Sequence, residues 1–267
     1  MSPMRIALMS DIHGNAIALD AVMRDLRQIG MPDAHWIVGD LVAIGPDPVG
    51  VLSRIADLPG ARAVRGNADR YTTSSDRPLP TLEECEADSS LLPVLVSVAH
   101  NYAWTQGAVT AGGWLEWLSE LPLELRLTLP NGQSLLAVHA SPGVDDGPGI
   151  HPALRPVDLL RVVSGARADI MCVGHTHWPM DDVIDGIRVV NLGSVSNQYP
   201  PDRRASYLVI DATRSGVAFD HRRVAYDHDA VIAEAHRVRH PAIDYITYLQ
   251  RGHNKPPWRR LDSPPWI

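Results

Sequence analysis

The sequence predicts an α/β fold with a parallel first half and a largely antiparallel second half. Three observations predict it. Short apolar runs alternate with stretches of helical spacing through residues 5–64, which is the βαβ pattern of a parallel sheet. Asn131-Gly132 and Asp185-Gly186 each sit between apolar runs, as hairpin turns do. Carboxylates and imidazoles gather in Asp11-Ile12-His13, Gly39-Asp40, Gly66-Asn67, His139 and Gly174-His175-Thr176-His177, each directly after an apolar run. Residues so far apart in sequence converge at the carboxyl ends of parallel strands.

Taken in order, residues 5–9 read as a buried strand ending at Ser10 and Asp11. Leu19, Val22, Met23, Leu26 and Ile29 recur at helical spacing, so a helix follows from about 15 and stops at Gly30 and Pro32. Residues 36–38 form the next strand, Pro46-Asp47-Pro48 opens a second helix with Val49, Leu52 and Ile55 on one face, and 61–64 make a third strand. Residues 72–90, rich in Ser, Thr, Pro and acids, read as loop, and helices follow at about 91–105 and 108–120 with Trp104, Trp114 and Trp117 as apolar bulk. This segment, 72–121, is either a cap beside the site or a helical pair on the sheet's flank. Residues 123–129 and 134–138 read as a hairpin, 154–165 as a helix and 170–173 as a buried strand. Strands at 182–184, 187–190, 206–210 and 217–222 precede a single helix over 228–249. Residues 1–250 are therefore expected to form one domain, with 251–267 a proline-rich tail that is either extended or a packed arm.

The 267 residues are 45% hydrophobic and 21% charged, an ordinary balance for a globular chain with a sizeable core. A net charge of -7 with no long basic run argues against a dedicated duplex nucleic-acid surface. The cysteines, Cys85 in an acidic segment and Cys172 in an apolar run, form no metal knuckle or redox pair and suit a reducing cytosol. The apolar start at 5–9 is too short for a secretory signal, and no stretch nears the roughly 20 apolar residues that span a bilayer. These features point to a cytoplasmic protein without a membrane partner.

Residue type then points to chemistry. Carboxylates and imidazoles without thiolates suit divalent Mn, Fe, Zn, Co or Ni. Two such ions about 3.5–4 Å apart need a bridging anion, for which a strand-end Asp is suited. Together they would polarise a phosphoryl oxygen and acidify a bridging water, giving a hydroxide that attacks phosphorus in line.

On Asp11-x-His13, Gly39-Asp40, Gly66-Asn67, His139 and Gly174-His175-Thr176-His177, the chain resembles the calcineurin-like metallophosphoesterase superfamily. It is most similar to the bacterial and archaeal phosphodiesterase-like, diadenosine-tetraphosphatase-related group. Asn15, the stretch 39–48 and Asn191-Leu192-Gly193-Ser194-Val195 extend the likeness, which covers residues 4–211. The resemblance implies a four-layer α-β-β-α sandwich of two mixed sheets with an inserted helical segment. It also implies two divalent metal ions. One would be held by Asp11, His13, Asp40 and His177, the other by Asp40, Asn67, His139 and His175, with Asp40 bridging. Asp40, Asn67 and His139 are thereby the expected catalytic residues, and Asn67 also faces the substrate.

One position departs from the pattern. Where relatives have Gly-Asn-His-Asp, this chain has Gly66-Asn67-Ala68-Asp69. The missing imidazole assists the leaving oxygen in such relatives, and acid assistance is worth about 10²–10⁴-fold. The exchange favours phosphodiester or pyrophosphate linkages with better leaving groups, or a donor from elsewhere: His151, His100 or Tyr71. Asp69 then caps a turn. Arg70 either binds a substrate phosphate bidentately or pairs with a neighbouring acid; His35 and His100 read as structural. The expected activity is phosphoester hydrolysis of a phosphodiester or nucleotide-type substrate. The alternatives are a phosphomonoesterase, including a phosphoprotein phosphatase, and a non-catalytic scaffold such as the retromer subunit that reuses this fold.

Overall fold

The computed structural model describes residues 2–253. The predicted tail, apart from residues 251–253, lies outside them.

The first half folds as its pattern dictates. Strand β1 (Met4–Met9) leads to helix α1 (Ala16–Ile29), whose Asn15 cap accepts from the Ala18 amide at 3.0 Å. Strand β2 (Ala34–Val38) leads to α2 (Pro48–Ala56), capped by Asp47 through the Gly50 amide at 2.8 Å and opened by Pro48; proline is tolerated there because a first-turn amide has no helical partner. Strand β3 (Ala61–Val64) runs into α3 (Asn67–Thr73).

The segment after α3 corrects the reading of 72–90 as loop. It contains α4 (Leu82–Ala87), where Thr81 and Glu84 form a reciprocal capping box, and a 3₁₀ turn at Ser89–Leu91. The two helices expected next are one long α5 (Leu92–Ala111) and a short α6 (Leu115–Ser119). The break falls at Gly112-Gly113, where Gly113 takes φ +75°, a conformation that glycine adopts without steric cost.

Strands β4 (Glu124–Thr128) and β5 (Ser134–Val138) form the expected hairpin, followed by α7 (Pro156–Val163), β6 (Ile170–Val173), β7 (Met180–Ile184), β8 (Ile187–Asn191), β9 (Ala205–Thr213) and β10 (Gly216–Val224). The single helix expected over 228–249 is instead α8 (His228–Arg237) and α9 (Ile243–Gln250). Pro241 lacks the amide needed to continue α8, and Arg239 turns the chain at φ +52°.

Two mixed five-stranded sheets result, in orders β10-β9-β1-β2-β3 and β4-β5-β6-β8-β7. Each contains three parallel strands, β1-β2-β3 in one and β5-β6-β8 in the other, flanked by antiparallel partners. The pleat sets the layers, because successive side chains point to opposite faces. Ile6 and Leu8 of β1 meet Leu135, Ala137, Ile170 and Cys172 of the other sheet, while Ala7 and Met9 pack against Leu19, Val22 and Leu26 of α1. Leu136, Val138 and Met171 face outward onto Val163 of α7. The architecture is the expected four-layer sandwich, and Cys172 is a core residue between the sheets. Among the described residues no helix is long and apolar enough to cross a membrane.

Candidate metal centre

The carboxyl ends of the parallel strands from both sheets meet along one edge. Asp11 follows β1, Asp40 follows β2, Asn67 follows β3, His139 follows β5 and His175 follows β6. Backbone hydrogen bonds lace these loops together: Asp11 N to Gly39 O at 3.1 Å, His13 N to Asp40 O at 2.9 Å and Gly174 N to His139 O at 2.9 Å. Two of the motif glycines are required by this crowding. A Cβ at Gly66 would lie 2.1 Å from the Asp40 carboxylate, and one at Gly39 would lie 2.3 Å from the His139 ring. Asp11, His13, Asp40, His175 and His177 all hold positive φ between 49° and 65°. For non-glycine residues that conformation costs about 1–2 kcal/mol each, and it persists at functional sites where the surrounding structure enforces it.

All seven sequence-predicted ligands converge. The Asp11 Oδ1 atom lies 3.2 Å from His177 Nε2 and 3.9 Å from His13 Nε2, and the two imidazole nitrogens are 3.2 Å apart. Asp40 Oδ2 stands between the two halves, 3.6 Å from His13 Nε2 and 3.4 Å from His139 Nε2. Asn67 Oδ1 closes the second half at 3.1 Å from His139 Nε2 and 3.0 Å from His175 Nδ1. Donor atoms of Asp11, His13 and His177 lie within 4.8 Å of one another, as do those of Asp11, Asp40 and His139.

The far ring nitrogens fix which nitrogen faces the centre, because a carbonyl only accepts and so must meet an N–H. His139 Nδ1 donates to Val38 O at 2.8 Å, His177 Nδ1 to Asn197 O at 2.7 Å and His175 Nε2 to Gly147 O at 2.8 Å. Three imidazoles therefore turn a lone pair inward, as metal-binding histidines do. The other oxygens of the two carboxylates are also held. Asp11 Oδ2 accepts from Ser10 Oγ at 2.6 Å and from the His175 amide at 3.0 Å, and Asp40 Oδ1 accepts from the Ala68 amide at 2.8 Å.

What remains is an electrostatic imbalance that a cation resolves. Asp11 and Asp40 are buried, and Asp11 Oδ1 has no hydrogen-bond partner. Burial works to raise Asp40, but the charge of His139, its hydrogen bond and the charge of His13 outweigh it and hold the carboxyl below its usual range. Asp11 is likewise lowered, by His177 against burial. In return His139, opposed by its own burial, is raised to about 10 by Asp40. Protons on imidazoles supply the balancing charge when no cation does, and binding a cation would release them. An all-oxygen and nitrogen donor set with an orphaned buried carboxylate oxygen fits divalent metal ions.

Other predicted residues fall elsewhere. Of the two roles open to Arg70, pairing with neighbouring acids is the one seen: its guanidinium is engaged with Asp145 at 3.0 Å, Asp146 at 2.8 Å and Asp76 at 2.8 Å. Arg65 joins Asp145 at 2.7 Å, and the Tyr71 hydroxyl donates to Asp146. These contacts clamp the loop whose Gly147 carbonyl orients His175. Asp69 caps α3 through the Gly66 amide at 2.9 Å and also accepts from Leu41 N at 2.9 Å, steadying the turn that carries Asp40. Burial, then the charge of Asp40, raises Asp69 to about 7. His100 is exposed on α5. His151 stacks parallel to Trp178, and its Nδ1 accepts from Ala153 N at 3.2 Å. Asn191 ties the Gly174–His177 turn, donating to Gly174 O at 2.9 Å and Thr176 Oγ1 at 2.9 Å, and Ser194 Oγ donates to Asp11 O at 2.8 Å. The carbonyls of Val38, Gly147 and Asn197 were beyond sequence reasoning, since any residue can present one. Ser10, adjacent to Asp11, carried a signal that reading for ligands alone passes over.

Comparison with known proteins agrees with this geometry. The family model for the calcineurin-like phosphoesterase superfamily domain matches residues 4–215. A Methanocaldococcus jannaschii protein, named uncharacterized protein MJ0912, is 27% identical over 221 residues, covering 77% of this chain and 82% of its own. A symmetrical bis(5'-nucleosyl)-tetraphosphatase of Yersinia enterocolitica is 35% identical over 95 residues, only 30% of this chain and 32% of its own length. Among solved structures, a metallophosphoesterase from Sphaerobacter thermophilus superposes with TM-score 0.70 at 23% identity, covering 94% of this chain and 99% of its own. The Pyrococcus horikoshii protein PH1004 gives 0.72 at 20% identity, covering 92% and 98%; at such identities these two speak to the fold. With its motifs clustered at one sheet edge and the family match spanning both sheets, the chain belongs to the calcineurin-like phosphoesterase superfamily, a membership that marks it as a hydrolase acting on phosphoric ester bonds.

Proposed function

We propose that this protein is a phosphoesterase with a dinuclear metal centre, acting on a phosphodiester or nucleotide-type substrate. The observation that carries the reading is the position of Asp40 Oδ2 between His13 Nε2 and His139 Nε2, at 3.6 and 3.4 Å. That is where a carboxylate shared by two ions belongs. Asp11, His13, Asp40 and His177 would hold one ion, and Asp40, Asn67, His139 and His175 the other. When bound, the two cations would polarise the phosphoryl oxygen and acidify the attacking water.

The chain's own residues prepare the rest. Backbone carbonyls fix His139, His175 and His177 in the tautomer that presents a lone pair. The Asn67 amide oxygen faces both imidazoles of the second half, which leaves its NH₂ as a donor for a substrate oxygen. Diester or pyrophosphate linkages are favoured over monoesters because position 68 offers a methyl group where an imidazole would assist a poor leaving group. The local similarity to tetraphosphatases supports the nucleotide-type substrate.

The test is hydrolysis of bis-p-nitrophenyl phosphate with added Mn(II), compared with p-nitrophenyl phosphate. The expected result is turnover favouring the diester, with about two metals per chain by elemental analysis. Asp40→Asn should lower activity by at least about 10³-fold, as loss of a group acting only through the reactive centre does. Preference for the monoester would point to a phosphatase. No turnover of mono-, di- or pyrophosphate substrates in any divalent metal would overturn the reading.

A further inference from the structure

The missing imidazole at position 68 leaves open which group faces the leaving oxygen. Ala68 is buried and packs with Ala43, Tyr71 and Tyr102. Tyr102 comes from α5, within the helical segment between β3 and β4. That helix is tied to the metal-site loops at two points: Asn101 Oδ1 accepts from Ile44 N at 3.2 Å, and Gln106 Nε2 donates to Thr72 O at 2.9 Å. The Tyr102 ring is held edge-on to Tyr71 at 5.6 Å, with the Arg77 guanidinium 5.8 Å from its centroid.

Tyr102 is only 6% exposed, yet among the described residues its hydroxyl makes no hydrogen bond. Its oxygen is not among the sealed polar atoms that lack a partner, so water or a ligand can reach it and complete its hydrogen bonding. Asp40 is the strongest charge acting on the phenol, with Asp69 also in range. Burial first, and then Asp40, keeps the hydroxyl protonated well above its ordinary range, so it is available as a donor. The other donors raised by the sequence are engaged or remote. Tyr71 donates to Asp146, His151 accepts from the Ala153 amide, and His100 is exposed.

We propose that the Tyr102 hydroxyl, delivered by α5 over the methyl of Ala68, donates a hydrogen bond to the leaving-group oxygen of the substrate. This rests on the phosphoesterase reading above. The bond stabilises negative charge as the phosphorus–oxygen bond breaks and needs no proton transfer, so the departing oxygen takes its proton from water. It also gives the inserted helices a catalytic role.

Tyr102→Phe isolates the hydroxyl while keeping the ring packed on Ala68 and Tyr71. Methyl aryl phosphates with leaving groups from 4-nitrophenol to phenol would be hydrolysed by both proteins in Mn(II). The loss should grow with leaving-group basicity, from about 3-fold for 4-nitrophenol to about 100-fold for phenol, the scale of acid assistance. Metal content and melting temperature should match the wild type. A loss equal across the series, no loss, or a variant depleted of metal would each overturn the assignment. Wild-type inactivity on every ester would instead bring down the phosphoesterase reading itself, whereas equal activity of Tyr102→Phe and wild type overturns only the role of the hydroxyl.

Discussion

At the residue scale, Arg70 shows how surroundings choose between the two roles an arginine offers. An arginine near Asn67 suits phosphate recognition or an ion pair; three carboxylates enclose this one, and burial is offset by Asp145, which keeps the guanidinium charged. Its effect reaches the centre through the loop bearing Gly147, whose carbonyl sets His175. Arg70→Ala should therefore weaken metal affinity by about 10-fold, within the range seen when partners of metal ligands are removed. Isothermal titration with Mn(II) measures this directly. A phosphate-binding role would instead raise KM with metal affinity unchanged. Ala68 carries the opposite lesson, since a residue with no functional group defines the pocket into which Tyr102 packs.

At the element scale, the helices that differ from expectation are those ended by local chemistry. Proline and a positive φ divide α8 from α9, and His240 sits in that turn. It is buried against Trp104 of α5 with ring centroids 4.3 Å apart, and its Nδ1 accepts from the Ala242 amide at 3.1 Å. Burial lowers its pKa to about 4. The folded state thus resists a proton that the unfolded chain binds near pH 6.5, so stability falls as pH drops from about 6.5 towards 4. Between pH 7 and 5 His240 should contribute about 2 kcal/mol to that loss, because each tenfold difference in proton affinity between the two states is worth about 1.4 kcal/mol. His240→Gln, which cannot protonate, should show a smaller drop in melting temperature between those pH values; an unchanged drop would remove His240 as a cause. The capping box at Thr81 and Glu84 lies in the stretch read as loop. Its surrounding Ser, Thr and Pro residues masked it, because a helix of six residues has too few turns to establish a period.

At the scale of the whole molecule, the metal centre joins the two sheets. Asp11, Asp40 and Asn67 come from one sheet and His139 and His175 from the other, so a cation held by both sets should act as a cross-link between layers. Metal present at about 1,000 times its dissociation constant adds about 4 kcal/mol to stability. For a domain of this size that corresponds to roughly 10 °C in melting temperature. Removing metal with EDTA and restoring Mn(II) should lower and then recover the melting temperature by that order. An unchanged melting temperature would argue that the centre holds no ion tightly.

The sequence by itself determined the strand–helix alternation of the first half and the ligand types. Short apolar runs ending in turn residues mark the first strands, the spacing of Leu19, Val22, Met23, Leu26 and Ile29 marks the helix between them, and strand-end Asp, Asn and His residues report metal chemistry through their donor atoms. Only the tertiary structure decided what surrounds them. The Val38, Gly147 and Asn197 carbonyls that orient the imidazoles belong to a backbone that every residue shares. The approach of Tyr102 to Ala68 joins residues 34 positions apart in the sequence, and no local propensity encodes such a contact, because it depends on how one helix docks over loops folded elsewhere.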